Sequence, residues 1–265
     1  MGKILFAMIS PHPPVIVPQI GGSRVKDAEK TKKALEAAAK KLRSFDPSSV
    51  IMITPHGEIS RTTVHLYSSH VFEGDFGNFG HPRLKLSSKG DPALSRRISK
   101  EAEKKNILTA EIQESFLDHG TMVPLYYLQQ AGFNKNILPV AVSLRPLREL
   151  FELGRAIRYA VEASEENIAI VASADMSHRL TKDAPAGYDP AGKVFDERLA
   201  DLVKKNDVDG ILDFEPRLAE EAGQDALWSI AILLGALDGL QVMHELLSYE
   251  GPFGVGYMVA KYEVR

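Results

Sequence analysis

The chain is 265 residues long, 44% hydrophobic and 25% charged, the composition of a globular protein large enough to bury a sizeable core. Its net charge of −3 leaves no basic excess to neutralise phosphates, which argues against a nucleic-acid or membrane-surface partner. Cysteine is absent, which excludes disulfides, thiol nucleophiles and cysteine-ligated metal centres, so any metal must be held by His, Asp, Glu or backbone oxygen.

The stretch 3–9 is nearly all apolar and has the length of a strand buried on both faces. Pro11, Pro13 and Pro14 stop it, because proline cannot donate a ladder hydrogen bond, and they hold His12 in a stiff turn. This segment does not resemble a signal-peptide cleavage region. After a Pro/Gly loop over 15–22, the spacing of Ala34, Leu35, Ala38, Ala39 and Leu42 predicts a helix over 27–43. A second buried strand runs from Val50, and Thr54-Pro55-His56-Gly57 repeats the order strand, proline, histidine. The β-α-β order predicts that these two strands are parallel neighbours joined by a right-handed crossover.

Beyond residue 61 the pattern weakens. Residues 63–67 and 83–86 read as strands, with 73–80 as a loop between them. Asp91 as N-cap and Pro92 at the first helical position open a helix over 92–105. Asp118-His119-Gly120-Thr121 precedes an apolar helix over 122–130, then come a strand at 137–144 and a helix at 148–163. Residues 167–173 form another apolar strand, ending in Ala174-Asp175-Met176-Ser177-His178. The loop 181–192 is long enough to act as a lid. Helices are expected at 193–205, 207–214 and 227–237, and strands at 241–249 and 257–264. No apolar stretch reaches the roughly 18–20 residues that span a bilayer, so the expectation is a cytoplasmic protein with no membrane contact. The expected architecture is a single domain over 1–265, α/β, with a central mixed, mostly parallel sheet flanked by helices.

His12, His56 and His178 each follow an apolar strand at its carboxyl end, where open α/β sheets bind ligands. Their arrival there from distant parts of the chain points to a shared metal or catalytic site. His65, His70, His81 and His244 have no such context. His119 could reach a pocket while Asp118 or Thr121 caps the helix, and spacing alone favours the capping reading. Without cysteine, a carboxylate is the natural further ligand, giving the two-His, one-carboxylate arrangement that leaves positions open on Fe(II). Glu221 and Asp225, four apart, share a helix face just before the apolar helix; they also suit an N-terminal capping cluster.

Four ordered motifs carry a resemblance: the strand with Pro11-His12-Pro13-Pro14, Thr54-Pro55-His56-Gly57, the stretch from Asp118 through Pro124-Leu125, and Ser173 to His178. Together they resemble the class III extradiol ring-cleavage dioxygenases, the family of the protocatechuate 4,5-dioxygenase catalytic subunit. The loop 73–77 and the stretch 232–239 look most like a bacterial and archaeal branch associated with Memo, itself a fold relative. The resemblance implies that His12 and His56 are iron ligands, that His178 is the acid/base, and that His119 is the second active-site histidine. It places the third ligand at the start of the helix leading to Gly235-Ala236-Leu237, where Asp225 lies nearest and Glu221 is the reserve. The family has Glu at that position and Memo has Cys, so Asp is a departure.

As an activity, the resemblance implies a non-haem Fe(II) extradiol dioxygenase acting on a catechol-like or aminophenol-like aromatic with O2. The alternative is a Memo-like metal-binding or scaffolding protein without ring cleavage. The partners expected are the small aromatic substrate and O2, a second copy in a homo-oligomer, or a protein of the Memo system.

Overall fold

Strand residues pointing alternately to two apolar layers set the architecture. The computed structural model describes residues 1–265. Its strands are β1 (Lys3–Ser10), β2 (Ser49–Thr54), β3 (Val64–Tyr67), β4 (Val71–Phe76), β5 (His81–Gly90), β6 (Thr109–Ile112), β7 (Asn136–Ala141), β8 (Asn167–Ser173), β9 (Val242–Glu250) and β10 (Tyr257–Val264). The helices are α1 (Pro18–Gly21), α2 (Glu29–Ser44), α3 (Pro92–Glu103), α4 (His119–Gln130), α5 (Leu147–Glu162), α6 (Pro190–Lys205), α7 (Val208–Leu212), α8 (Pro216–Ala222) and α9 (Ala226–Leu237). All ten strands join one sheet in the order β4-β5-β7-β2-β8-β1-β10-β9, with β3 pairing β7 and β6 pairing β3. From β5 to β1 the pairings are parallel. Antiparallel pairings flank this core through β10, β9, β4 and β3. The chain is a single α/β domain with a mixed, mostly parallel sheet, as its pattern predicts.

Phe6, Met8, Val50, Met52, Ala169 and Val171 face one layer, closed by Leu35 and Leu42 of α2 and Val123 of α4. Ile9, Ile51, Ile53, Ile168 and Ile170 face the other, closed by Leu94 of α3, Leu150 and Ile157 of α5, and Ile230 of α9. Truncating such a side chain to Ala costs about 2–5 kcal/mol. Helix α9 is buried at every position except Trp228, because α5 lies directly over it. A Cβ on Gly235 of α9 would collide with the Phe151 carbonyl oxygen of α5, and one on Gly154 with the Ile232 carbonyl.

Two expectations change. β1 and β2 are not neighbours; β8 lies between them and pairs in parallel with both. Every residue of β8 after Asn167 is buried, and only a place between two strands covers so apolar a segment on all sides. Residues 73–80 are not a loop throughout, since β4 runs to Phe76 and forms a hairpin with β5. Phe72, Gly74 and Phe76 point inward there, an alternation that the glycine and the acidic residues hide.

The register aligns the strand ends. Ser10 at the end of β1 pairs with Ser173 at the end of β8, and Ile53 of β2 pairs with Ala172. The segments leaving β1, β8 and β2 therefore emerge side by side.

Candidate metal centre

His12 leaves β1 into the interior and is 1% exposed. Its Nδ1 lies 2.8 Å from Ser173 Oγ, and that hydroxyl gives its one proton to the Gly120 carbonyl at 2.6 Å. The His12 Nδ1–H must then donate to Oγ, which leaves Nε2 as the ring's free donor atom. His12 Nε2 faces His56 Nε2 at 2.9 Å. His56 is positioned from β2: its N–H donates to Thr54 Oγ1 at 3.2 Å, and Thr54 donates to Asp118 Oδ1 at 2.7 Å.

Asp225 occupies the N-cap position of α9 but makes no capping bond. Gln224 takes over that work, its Oε1 accepting the Leu227 N–H at 2.9 Å. Asp225 is thereby free to turn inward, where Oδ2 lies 3.5 Å from both His12 Nε2 and His56 Nε2. Glu221, the other carboxylate considered, is not brought to this group: it points off α8 and accepts Arg217 Nε at 2.8 Å. A short helix with its own exposed ion pair holds it at the surface.

His119 is the first residue of α4, whose start Asp118 caps by accepting the Thr121 N–H at 3.0 Å. Its ring centroid is 4.0 Å from that of His56 and 5.6 Å from that of His12. His178 lies past β8, its Nδ1 2.9 Å from the Gly223 carbonyl. A carbonyl only accepts, so Nδ1 carries the proton and Nε2 is left as an acceptor. Asp175, given no role from sequence, is 3% exposed, and its Oδ1 accepts the His12 N–H at 2.9 Å. Its signal was its place in the segment leaving β8, three residues before His178.

The electrostatics are those of a site arranged around positive charge. Burial alone would drive the pKa of His12 down, but Asp175 and Asp225 outweigh it and hold it up at about 9. Burial pushes Asp225 up, yet His12 more than reverses this and keeps it below the usual carboxylate range. Asp175 goes the other way: burial raises it, with His12 offsetting only part. Of the two carboxylates, Asp225 is the one whose ionised form His12 favours on balance. Burial, then the charges of His56 and His12, push His119 down to about 3, so it is a neutral imidazole across the physiological range.

Donor atoms with mutual separations of 2.9, 3.5 and 3.5 Å can all lie about 2.1 Å from one common point, the bond length that His and carboxylate ligands make to divalent ions. His12, His56 and Asp225 therefore fit a metal. His119 is a second candidate for the third donor, its nitrogen within 4.8 Å of the other two. A cleft of about 420 Å³ opens beside His56 and His119, lined also by Tyr67, Phe79, Phe116 and Met122. Three larger hollows, of about 480, 570 and 630 Å³, are lined by no histidine; the chemistry, and not the volume, marks the smaller one. No helix is long and apolar enough to cross a membrane.

The family model described as the catalytic LigB subunit of aromatic ring-opening dioxygenase matches residues 6–260. Protein CA_C1420 of Clostridium acetobutylicum is 36% identical over 262 residues, which is 96% of this chain and 56% of that protein, so the chain spans little more than half of that relative's length. The 3,4-dihydroxyphenylacetate 2,3-dioxygenase of Escherichia coli is 23% identical, over 89% of this chain and 91% of that one. The 2-aminophenol 1,6-dioxygenase beta subunit of a Pseudomonas species is 24% identical, over 83% and 81%.

Proposed function

Because the chain belongs to the family of the catalytic LigB subunit of aromatic ring-opening dioxygenases, we propose that it is an Fe(II)-dependent extradiol dioxygenase. Its substrate would be a catechol-like or aminophenol-like ring. The observation that carries this reading is the convergence of His12, His56 and Asp225 on one point, from the ends of β1 and β2 and the start of α9. Two relatives named as dioxygenases of 3,4-dihydroxyphenylacetate and of 2-aminophenol support the substrate class.

In this reading His12, His56 and Asp225 hold the ion. Fe(II) held by two imidazoles and one carboxylate would keep positions open and would supply the chemistry that brings a chelating substrate and dioxygen together. His178 takes the proton of a ring hydroxyl at Nε2, since Nδ1–H is committed to the Gly223 carbonyl. His119, kept neutral, offers a hydrogen bond to substrate or oxygen without adding charge. The rings of Phe79 and Phe116 at the cleft suit a flat aromatic guest.

The test is to load the metal-free protein with Fe(II) under anoxia and then measure oxygen uptake with a panel of catechols and aminophenols. Uptake that depends on both Fe(II) and the aromatic is expected. Stoichiometric metal without uptake, together with capture of a partner protein, would favour the scaffolding alternative.

A further inference from the structure

Asp175 is neither a ligand nor a proton carrier in the proposed function, yet it engages two of the three donor residues. Its Oδ1 accepts the His12 N–H at 2.9 Å, fixing the backbone from which that imidazole projects. Its own N–H donates to Asp225 Oδ1 at 2.8 Å, and its carbonyl accepts the Asp225 N–H at 3.3 Å. The residue is itself held on both sides. Ala174 N–H donates to the Ser10 carbonyl and Met176 N–H to the Gly256 carbonyl, each at 2.9 Å, and an isolated bridge pairs Asp175 with Tyr257. A buried carboxyl is costly to keep, and packing alone gives no reason for one here.

We propose that Asp175 is a positioning residue: its carboxyl sets His12 against Asp225 before an ion arrives, while its backbone N–H, which any residue there would supply, holds Asp225 by one oxygen. The proposal rests on the reading of His12 and Asp225 as ligands. Its physical content is preorganisation. Donors already 3.5 Å apart need little ordering when they bind, so less of the binding energy is lost to holding them still. The bond from Asp175 N–H takes up one lone pair of Asp225 Oδ1, which favours Oδ2 as the atom that would meet an ion. A carboxylate that bound through both oxygens would fill a position that substrate or dioxygen needs.

Two substitutions separate the clamp from the charge. Asp175→Asn keeps an oxygen acceptor for the His12 N–H and removes the charge; Asp175→Ala removes both. Two measurements read them: Co(II) affinity by chelator competition, and hydrogen exchange of the His12 amide in the metal-free protein. The Ala variant should bind Co(II) about 10–100-fold more weakly, as changes behind a ligand typically do, and its His12 amide should exchange faster. The Asn variant should stay within a few-fold of the parent on both. Full Co(II) affinity in the Ala variant would overturn the proposal, and so would an Asn variant as impaired as Ala, since charge would then matter and not the clamp. Should the Ala variant not fold, Asp175→Leu, which fills the space without an acceptor, takes its place with the same expectation. If the parent itself took up no ion, the functional reading would fall, while the exchange of the His12 amide would still decide whether the clamp exists.

Discussion

The ends of β1 and β2 carry the same device, an apolar strand followed by proline and histidine, but they do different things with it. His12 is 1% exposed, its Nδ1 is tied to Ser173, and two carboxylates raise its pKa to about 9. The His56 side chain is 32% exposed, makes no ring hydrogen bond to protein except the contact with His12, and is lowered by burial and by the charge on His12. Equal sequence signals thus yield an anchored, buried imidazole and a part-exposed one lining the cleft. The strand end decides where a histidine goes; the strands and helices around it decide what it does.

The largest effect should come from removing each in turn. His12→Ala and His56→Ala should both abolish stoichiometric metal binding, measured as metal content after loading. Only His12→Ala should also lower the stability of the metal-free protein, by about 1–3 kcal/mol, because it strands buried partners. Equal unfolding free energies for the two variants would erase the distinction between the two histidines.

The third strand-end histidine sharpens the comparison. His178→Ala should keep the metal and still bind a catechol, yet lose turnover by roughly 10²–10⁴-fold, the range for general acid–base groups. A variant stripped of metal would make His178 a ligand instead. Parental turnover would make it structural.

Ser173→Ala, which unties the His12 ring but touches nothing at His56, should weaken metal binding about 10–100-fold; an unchanged dissociation constant would mean that the tie is idle. The smallest effect, taken per pH unit, is that of protons. In the metal-free protein a proton sits on His12 up to about pH 9, and an incoming ion must displace it. Metal affinity should therefore rise with pH, by about tenfold per unit, and level off near pH 9. The same shift, upward from the ordinary histidine value of 6.5, means that this proton stabilises the metal-free fold fully below pH 6.5. That contribution is lost as pH rises through 9. A flat titration of affinity between pH 6 and 9 would show that His12 carries no such proton.

Much of this was legible in the sequence, for physical reasons. Apolar runs long enough to be buried on both faces read directly as strands, and the prolines after β1 and β2 mark where they stop. The resemblance of the His-Gly-Thr motif, and not local spacing, ties His119 to the site; spacing shows only a helix that Asp118 caps. Choosing between Asp225 and Glu221 was harder, since both lie near the start of an apolar helix. The deciding residue is Gln224, which caps α9 in place of Asp225, and a side-chain choice of that kind leaves no periodic trace. The positions of β3 and β6 beside β7, and of β8 between β1 and β2, depend on contacts between segments far apart in the chain. No local pattern encodes them.

The central place of β8 also has a consequence in time. β1 and β2 are made early, but the strand that separates them ends at Ser173, more than a hundred residues later. Until it inserts, no partner fixes the gap of two strand spacings, about 9.6 Å, between the strands that carry His12 and His56. The two imidazoles cannot take up their facing positions on a chain still emerging, because pairings between distant segments form late. Metal capture by these two histidines would thus be deferred to a nearly finished fold, and a short nascent segment bearing Pro-His would be a poor trap for whatever ion is most abundant.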